Sequence, residues 1–433
     1  VTGGGQAHRD RTAEAAAAAR DERDLPFQFS CHVRAAPALF RGKKPPALSS
    51  SCAMEAGILP GAQSTGRAGE GLRYLHHGGH NVIDTIKNSA VGYKRIATEE
   101  AWAPPELIQE IMRIVNAKEV DDPGFVSLWS FYGASKAERP RMLLEKIQRI
   151  DESRIADMDA SGIDMQLLLL TAPGVQVMKK DTAIAMAASS NDQAAEAVRK
   201  WPTRFQALAA VAPQDPAAAA KELERAVGKL GLKGAVINSH TQGEFLDDPK
   251  FWDIFAAAES LNVPIYIHPS GPPKSMVQPF LERGLEGAVF GFGVEVALHV
   301  LRIIVAGVFD RFPKLKIVIG HTGEGLPFWL YRLDFMHTAS VKAGRYESQK
   351  PLKKKVSEYI RENIYVTNSG VAWEPSIMLC HKVLGADHVL YAMDYPYQFV
   401  PEEVKICDSL PMSDLDKKKF FQTNAEKLFN ITA

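Results

Sequence analysis

The chain has no net charge, few cysteines and no long apolar run, and each shortage removes a class of protein. Lys and Arg together number 51, and so do Asp and Glu. A balanced chain sets up no broad positive field for nucleic acid or for an anionic membrane surface. No uninterrupted apolar stretch reaches the roughly 20 residues that a spanning helix needs. The four cysteines, Cys31, Cys52, Cys380 and Cys407, lie far apart and form no CxxC pair. That pattern is not a disulfide scaffold. It predicts free thiols and a reducing, cytoplasmic compartment.

What is present suits a large core. Hydrophobic residues make up 46% of 433, enough for one large barrel with extra segments. Residues 1–92 read differently from the rest. Ala15–Ala19 sit among Arg, Asp and Glu, Ser49–Ser51 follow, and Gly and Pro are scattered without a period of 2 or 3.6. This predicts a disordered or processed extension ahead of a domain at 93–433. The chain begins at Val1 and its first methionine is Met54, so part of the extension is expected to be a fragment or gene-model artefact. Its acidic residues weigh against a transit peptide but leave organelle targeting open. His76, His77 and His80 form HHGGH. Such a Gly-containing segment offers a metal no fixed geometry, so an inert tail is expected there.

From Tyr93 onward, apolar and β-branched runs alternate with longer helical stretches. The candidate strands are Lys94–Thr98, Met165–Leu170, Phe205–Val211, Lys233–Asn238, Val263–Ile267, Lys316–Gly320, Asn363–Thr367 and Val389–Met393. Continuous apolar strands fit a parallel sheet covered on both faces. Pro104 and Pro105 precede Leu107, Ile108, Ile111 and Val115 at helical spacing. Eight strands alternating with helices predict an α/β fold, a (β/α)₈ TIM barrel. The longest gap, residues 104–164, predicts a helical insertion between the first two strands, placed to lid a site.

Four polar residues follow four of these strands: Glu99 after KRIAT, His268 after VPIYI, His321 after KIVIG and Asp394 after VLYAM. Strand ends of a parallel barrel converge on one face, so these side chains can meet around one ion. Carboxylate and imidazole suit Zn²⁺ or a harder divalent metal such as Mn²⁺. Each residue alone has a blander reading. Glu99 is then a solvated charge, His268 a structural histidine and Asp394 a turn cap. Four such accidents at one end of a barrel weaken together. Glu100 is expected on the opposite strand face from Glu99, away from the site. Glu324 reads as a support for His321 or as a helix N-terminal charge.

The segments IATEEAW, HPSG, IGHTGEGLPFWLYRLD, VTNSGV, YAMDYPYQ and NAEKLF resemble the decarboxylase branch of the amidohydrolase superfamily. That branch includes γ-resorcylate, 2,3-dihydroxybenzoate and aminocarboxymuconate semialdehyde decarboxylases. RIADMDA, VAPQDP, INSHTQG, FGFGVE and KKKFFQTNAEK are similar to its 5-carboxyvanillate-specific members. The resemblance runs from about Tyr93 to Phe429. It implies that Glu99, His268 and Asp394 bind one divalent metal, Mn²⁺ in preference to Zn²⁺. It implies that Asp394 and His321 are catalytic, that Arg332 and Tyr397 hold the substrate, and that Arg139 reaches in from a neighbouring subunit of a homodimer or dimer of dimers. The implied reaction is non-oxidative loss of CO₂ from a small ortho-hydroxy aromatic acid, with 5-carboxyvanillate giving vanillate. Phe131, Tyr132, Phe290, Phe292 and Tyr397 are candidates for a flat apolar pocket.

The chain departs from hydrolytic amidohydrolases. Where many carry His-x-His after the first strand, it has Glu99-Glu100-Ala101, and Ala101 is no ligand. A lactonase-like hydrolase and a non-catalytic barrel remain the alternatives from other classes.

Overall fold

A computed structural model describes residues 92–432. The extension and its HHGGH cluster lie outside the described residues. The strands are β1 (Ile96–Trp102), β2 (Met165–Leu170), β3 (Phe205–Ala207), β4 (Ala209–Ala210), β5 (Ala235–Ile237), β6 (Ile265–Ile267), β7 (Ile317–Ile319), β8 (Ile364–Thr367) and β9 (Val389–Leu390). Each hydrogen-bonded pair among them is parallel. β3 and β4 are two pieces of one barrel strand. The break comes at Leu208, whose N–H turns back to Leu168 O (3.0 Å), while Ala209 N–H goes to Gly234 O (2.8 Å). The sheet closes where Thr98 N–H meets Tyr391 O (3.0 Å) and Ala101 N–H meets Tyr395 O (2.7 Å). Eight strand positions around a closed ring bear out the expected barrel.

Of the expected strands, Met165–Leu170 alone matches end for end, and two of the differences bear on the site. β1 does not stop at Thr98. It runs on through Glu99 and Glu100 to Trp102, buried throughout, with a register irregularity between Ala97 and Glu100 against β2. Such a bulge re-aims side chains locally. The last strand is shorter than expected, because residues 391–395 are held by hydrogen bonds to β1 instead of a regular ladder on β8.

Four helices fill the gap between β1 and β2: Pro105–Ala117, Pro123–Ala134, Glu138–Ile147 and Glu152–Ser161. The first begins at the expected proline and buries Leu107, Ile108, Ile111, Ile114 and Val115. The second starts on an Asp122 cap that accepts from Phe125 N–H. Its Gly124 lies against Gly271, where a side chain on Gly271 would come within 3.3 Å of the Gly124 backbone. The insertion thus rests directly on the loop that follows His268. Among the described residues, no helix is long and apolar enough to cross a membrane.

Candidate active site

Glu99 is the centre of the arrangement. Its side chain is almost wholly buried, at 2% exposure. Oε2 accepts from Tyr266 O–H and from Thr367 O–H (3.0 Å). Oε1 accepts from nothing. His268 Nε2 stands 3.4 Å from Oε1, and His321 Nε2 3.6 Å. Two ligands at bond lengths of about 2.1 Å lie roughly 3.0–3.5 Å apart on one ion, so these donors are spaced close to a shared shell. Among the described residues, no three such groups are drawn into a finished shell. A buried carboxylate oxygen without a donor costs several kcal/mol. A divalent cation held by Glu99 Oε1 and His268 Nε2 would remove that cost, so these two residues fit the metal that the sequence resemblance implies.

His268 has the tautomer that a metal ligand needs. Its Nδ1–H donates to Pro269 O (2.9 Å), which leaves Nε2 with its lone pair toward Glu99. Metal-binding histidines have their tautomer fixed in this way. Burial lowers the His268 pKa, and the Glu99 charge opposes that only in part. His321 is held differently: its Nδ1 meets Glu324 Oε1 at 2.7 Å. Burial disfavours its protonated form, but Glu324 and Glu99 outweigh burial and raise its pKa to about 10. The backbone here is unusual. His321, Thr322 and Glu324 have φ of 51°, 56° and 52°, all in the left-handed region. Non-glycine residues there cost on the order of 1–3 kcal/mol each and gather at functional sites.

Asp394 follows the last strand, also left-handed at φ 69°. Burial pushes its carboxyl up to about 8, against the pull of His321. Two glycines make room for the carboxylates. A Cβ on Gly320 would fall 2.6 Å from Glu99 Oε2, and one on Gly370 3.1 Å from Asp394 Oδ2. His321, Glu324, Asp394 and Gln398 line a cavity of about 750 Å³, with Phe290 and Phe292 on its apolar wall. A few polar side chains among apolar ones is the usual make-up of a small-molecule site; Glu99 and His268 do not themselves line this cavity.

The other expected contacts divide. Tyr397 is near: its O–H pairs with Thr171 Oγ1 (2.7 Å), and its ring stands 6.3 Å from that of Tyr132. Arg139 is exposed and does not line the cavity; within its own chain its guanidinium donates to Tyr397 O (2.9 Å). Arg332 does not line the cavity. It is exposed on helix Leu326–Lys342, in a groove with Leu301, Trp329 and Leu333, which also border the cavity. The eleven-residue step from His321 carries it outward along the helix. Phe131 is exposed, at 56%.

Sequence reasoning missed Tyr266 and Thr367, the two hydroxyls that aim Glu99. Tyr266 sits inside β6, where an inward hydroxyl two residues before His268 was the available signal. It also missed the burial of Glu100, which has 0% exposure. A separate cleft of about 400 Å³ contains His240. Both nitrogens of that histidine are taken, by Gly271 O (2.9 Å) and Gly243 N–H (3.1 Å), so it offers no ligand.

A parallel barrel whose strand ends gather carboxylates and imidazoles around one buried point is the design of the amidohydrolases, and the chain belongs to that family: the amidohydrolase family model matches residues 140–431. Among solved structures, it is similar to 5-carboxyvanillate decarboxylase from Novosphingobium aromaticivorans DSM 12444. That enzyme was crystallised with manganese and 4-hydroxy-3-methoxy-5-nitrobenzoic acid. The identity is 52%, the TM-score is 0.79, and the match covers 81% of this chain and 99% of that one. The 5-carboxyvanillate decarboxylase of Sphingomonas paucimobilis shares 39% identity at a TM-score of 0.74, over 78% of this chain and 99% of that one. A γ-resorcylate decarboxylase from Polaromonas sp. (strain JS666 / ATCC BAA-500) is 35% identical over 67% of this chain and 90% of its own length.

Proposed function

We propose that this chain is a metal-dependent, non-oxidative decarboxylase of an ortho-hydroxy aromatic acid, with 5-carboxyvanillate as substrate and vanillate and CO₂ as products. The observation that carries this reading is the unpaired Glu99 Oε1 facing two imidazoles, beside a carboxyl at Asp394 that burial holds protonated near neutrality. Relatives that share half or a third of its residues are decarboxylases of such acids, one of them crystallised with manganese. Glu99, His268 and Asp394 would hold one Mn²⁺. When bound, the metal supplies Lewis-acid polarisation of the substrate's ortho-oxygens.

The chain's own residues do the rest. Direct loss of CO₂ would leave an aryl carbanion, so the ring carbon must first take a proton. Asp394 delivers that proton. The C–C bond to the carboxylate then breaks, its electron pair restores the aromatic ring, CO₂ leaves, and solvent reprotonates Asp394. His321, fixed by Glu324, orients the acid group, and Phe292 borders the ring, while Phe290 lines the same cavity at 59% exposure. The two roles of Asp394 pull its pKa in opposite directions: burial raises it, a bound cation lowers it.

The proposal includes a homodimer or dimer of dimers in the cytoplasm. Helix Leu326–Lys342 exposes Phe328 (72%), Tyr331 (84%) and Phe335 (61%), more apolar surface than one face of a monomer usually shows. Arg332 stands on the same helix beside the cavity rim. No Arg or Lys lines the cavity among the described residues. We place Arg139 in the site of a neighbouring copy, and Arg332, at the rim, on the substrate's carboxylate.

The test is a panel of ortho-hydroxybenzoates given to the Mn²⁺-loaded protein, with CO₂ and products measured. Vanillate from 5-carboxyvanillate is the expected result. Ring opening without CO₂ would identify a hydrolase, and no turnover on any member would overturn the reading.

A further inference from the structure

Glu100 has no part in the site as drawn so far, yet it is fully buried behind it. Its carboxylate takes two backbone donors, Met393 N–H on Oε1 (2.8 Å) and Tyr395 N–H on Oε2 (3.1 Å). These are the two peptide groups that flank Asp394. The residue between them is the one with φ 69°, a conformation that an L side chain adopts at a cost. The Met393 and Tyr395 N–H groups, on either side of this left-handed residue, form a donor pair that one carboxyl group can span, and Glu100 spans it.

The same corner is fastened elsewhere. Tyr395 O–H donates to Asp157 (2.8 Å), and the Arg154 guanidinium lies 4.5 Å over the Tyr395 ring. Arg154 is itself fully buried and bonded to Ala101 O (3.0 Å) and Gln166 (2.7 Å). None of these groups reaches the cavity. Of the groups in this corner, Glu100 alone grips both sides of Asp394. Adjacent residues of β1 therefore do two jobs. Glu99 points one way, to the metal position. Glu100 points the other way and fixes the segment bearing the ligand from the far end of the chain.

We infer that Glu100 is a positioning residue: its two-oxygen grip on the Met393 and Tyr395 amides holds Asp394 in its left-handed conformation and so aims the Asp394 carboxylate at metal and substrate. This deepens the proposed function and rests on Asp394 being a working residue there. Glutamine at position 100 keeps the shape but can accept only one of the two N–H groups, since its amide nitrogen is a donor.

The test compares wild type, Glu100→Gln, Asp394→Ala and the double variant. Mn²⁺ dissociation constant, melting temperature, and kcat and KM on 5-carboxyvanillate are measured for each. Glu100→Gln should still fill with metal at saturating Mn²⁺. It should bind Mn²⁺ several-fold more weakly and turn over at least tenfold more slowly, with KM changed far less than kcat. In the Asp394→Ala background the same change should lower the melting temperature again but cost no further Mn²⁺ affinity, because its target is gone. Equal losses of affinity in both backgrounds would reduce Glu100 to a general stabiliser and overturn the inference. If Asp394→Ala itself leaves metal binding and turnover intact, the proposed function fails first. If Asp394→Ala is inactive while Glu100→Gln matches wild type, only the positioning inference fails. Should Glu100→Gln fail to fold, Glu100→Asp, whose shorter arm withdraws from both amides, carries the same comparison.

Discussion

At Asp394, one carboxyl is asked to be both ligand and acid. Asn at this position keeps the shape and an oxygen for the metal but has no acidic proton. Asp394→Asn should therefore bind metal and substrate and lose roughly 10²–10⁴-fold in turnover, the usual worth of general acid catalysis. Wild type should also exchange the matching ring proton of vanillate with D₂O, by reversal of the same step, and the variant should not. Exchange that survives in Asp394→Asn would move the acid elsewhere and leave Asp394 only as a ligand. The pH behaviour follows from the same residues. Without metal, the pKa of Asp394 is raised from 3.8 to about 8 and that of His321 from 6.5 to about 10. Both folded values exceed the unfolded ones. The His321 contribution is complete below about 6.5 and is lost as pH rises through about 10, while the Asp394 carboxyl withdraws stability as pH climbs from about 4 to about 8. The metal-free protein should melt at progressively lower temperature between about pH 5 and 9, and Asp394→Asn should flatten the lower part of that slope. Mn²⁺ binding near pH 7 should release about one proton, readable by calorimetry in buffers of different ionisation enthalpy.

Among the elements, β1 and β7 set the tolerances of the site. Gly320 follows β7 with an ordinary extended backbone, so its lack of a side chain serves space and not conformation. A methyl there would lie 2.6 Å from Glu99 Oε2. Gly320→Ala should fold, since the collision is local, but lose most of its Mn²⁺ affinity, as measured by metal content after dialysis. His268→Ala should empty the site outright. Much of this was legible beforehand. Glu99, His268, His321 and Asp394 each follow an apolar run, and the parallel barrel forces such strand ends together. The helix at Pro105 was legible from its prolines and its buried spacing. Other features have no local signature. A bulge lets β1 run on through Glu99 and Glu100, and two buried carboxylates side by side read as surface charge in any one-dimensional scheme. The position of Arg332 depends on where a helix points after a turn of left-handed residues, and the reach of Arg139 depends on how the insertion folds back. Both are tertiary facts.

For the molecule as a whole, the described residues 92–432 contain a closed barrel. Its first described residues are tied in by Tyr93, which stacks on Phe421 at 5.0 Å, and by Lys94 N–H on Gln422 (2.9 Å). A chain starting at Val91 should keep metal content and turnover. A large loss of either would give the preceding segment a part in the site. If a second copy completes the cavity, Arg139→Ala and Asp394→Asn subunits, each inactive alone, should recover part of the activity when mixed. Failure in a confirmed mixed dimer would place Arg139 in its own chain's site or outside any site. The barrel's seam has one more consequence. Glu100 and Tyr395, joined by a hydrogen bond, are 295 positions apart in the chain, and Glu99 and Asp394 span the same seam. A ribosome must therefore make the whole stretch between Glu99 and Asp394 before the last proposed ligand emerges. A nascent chain stopped short of Asp394 holds only part of the proposed metal site, so manganese loading waits on the emergence of that final strand end.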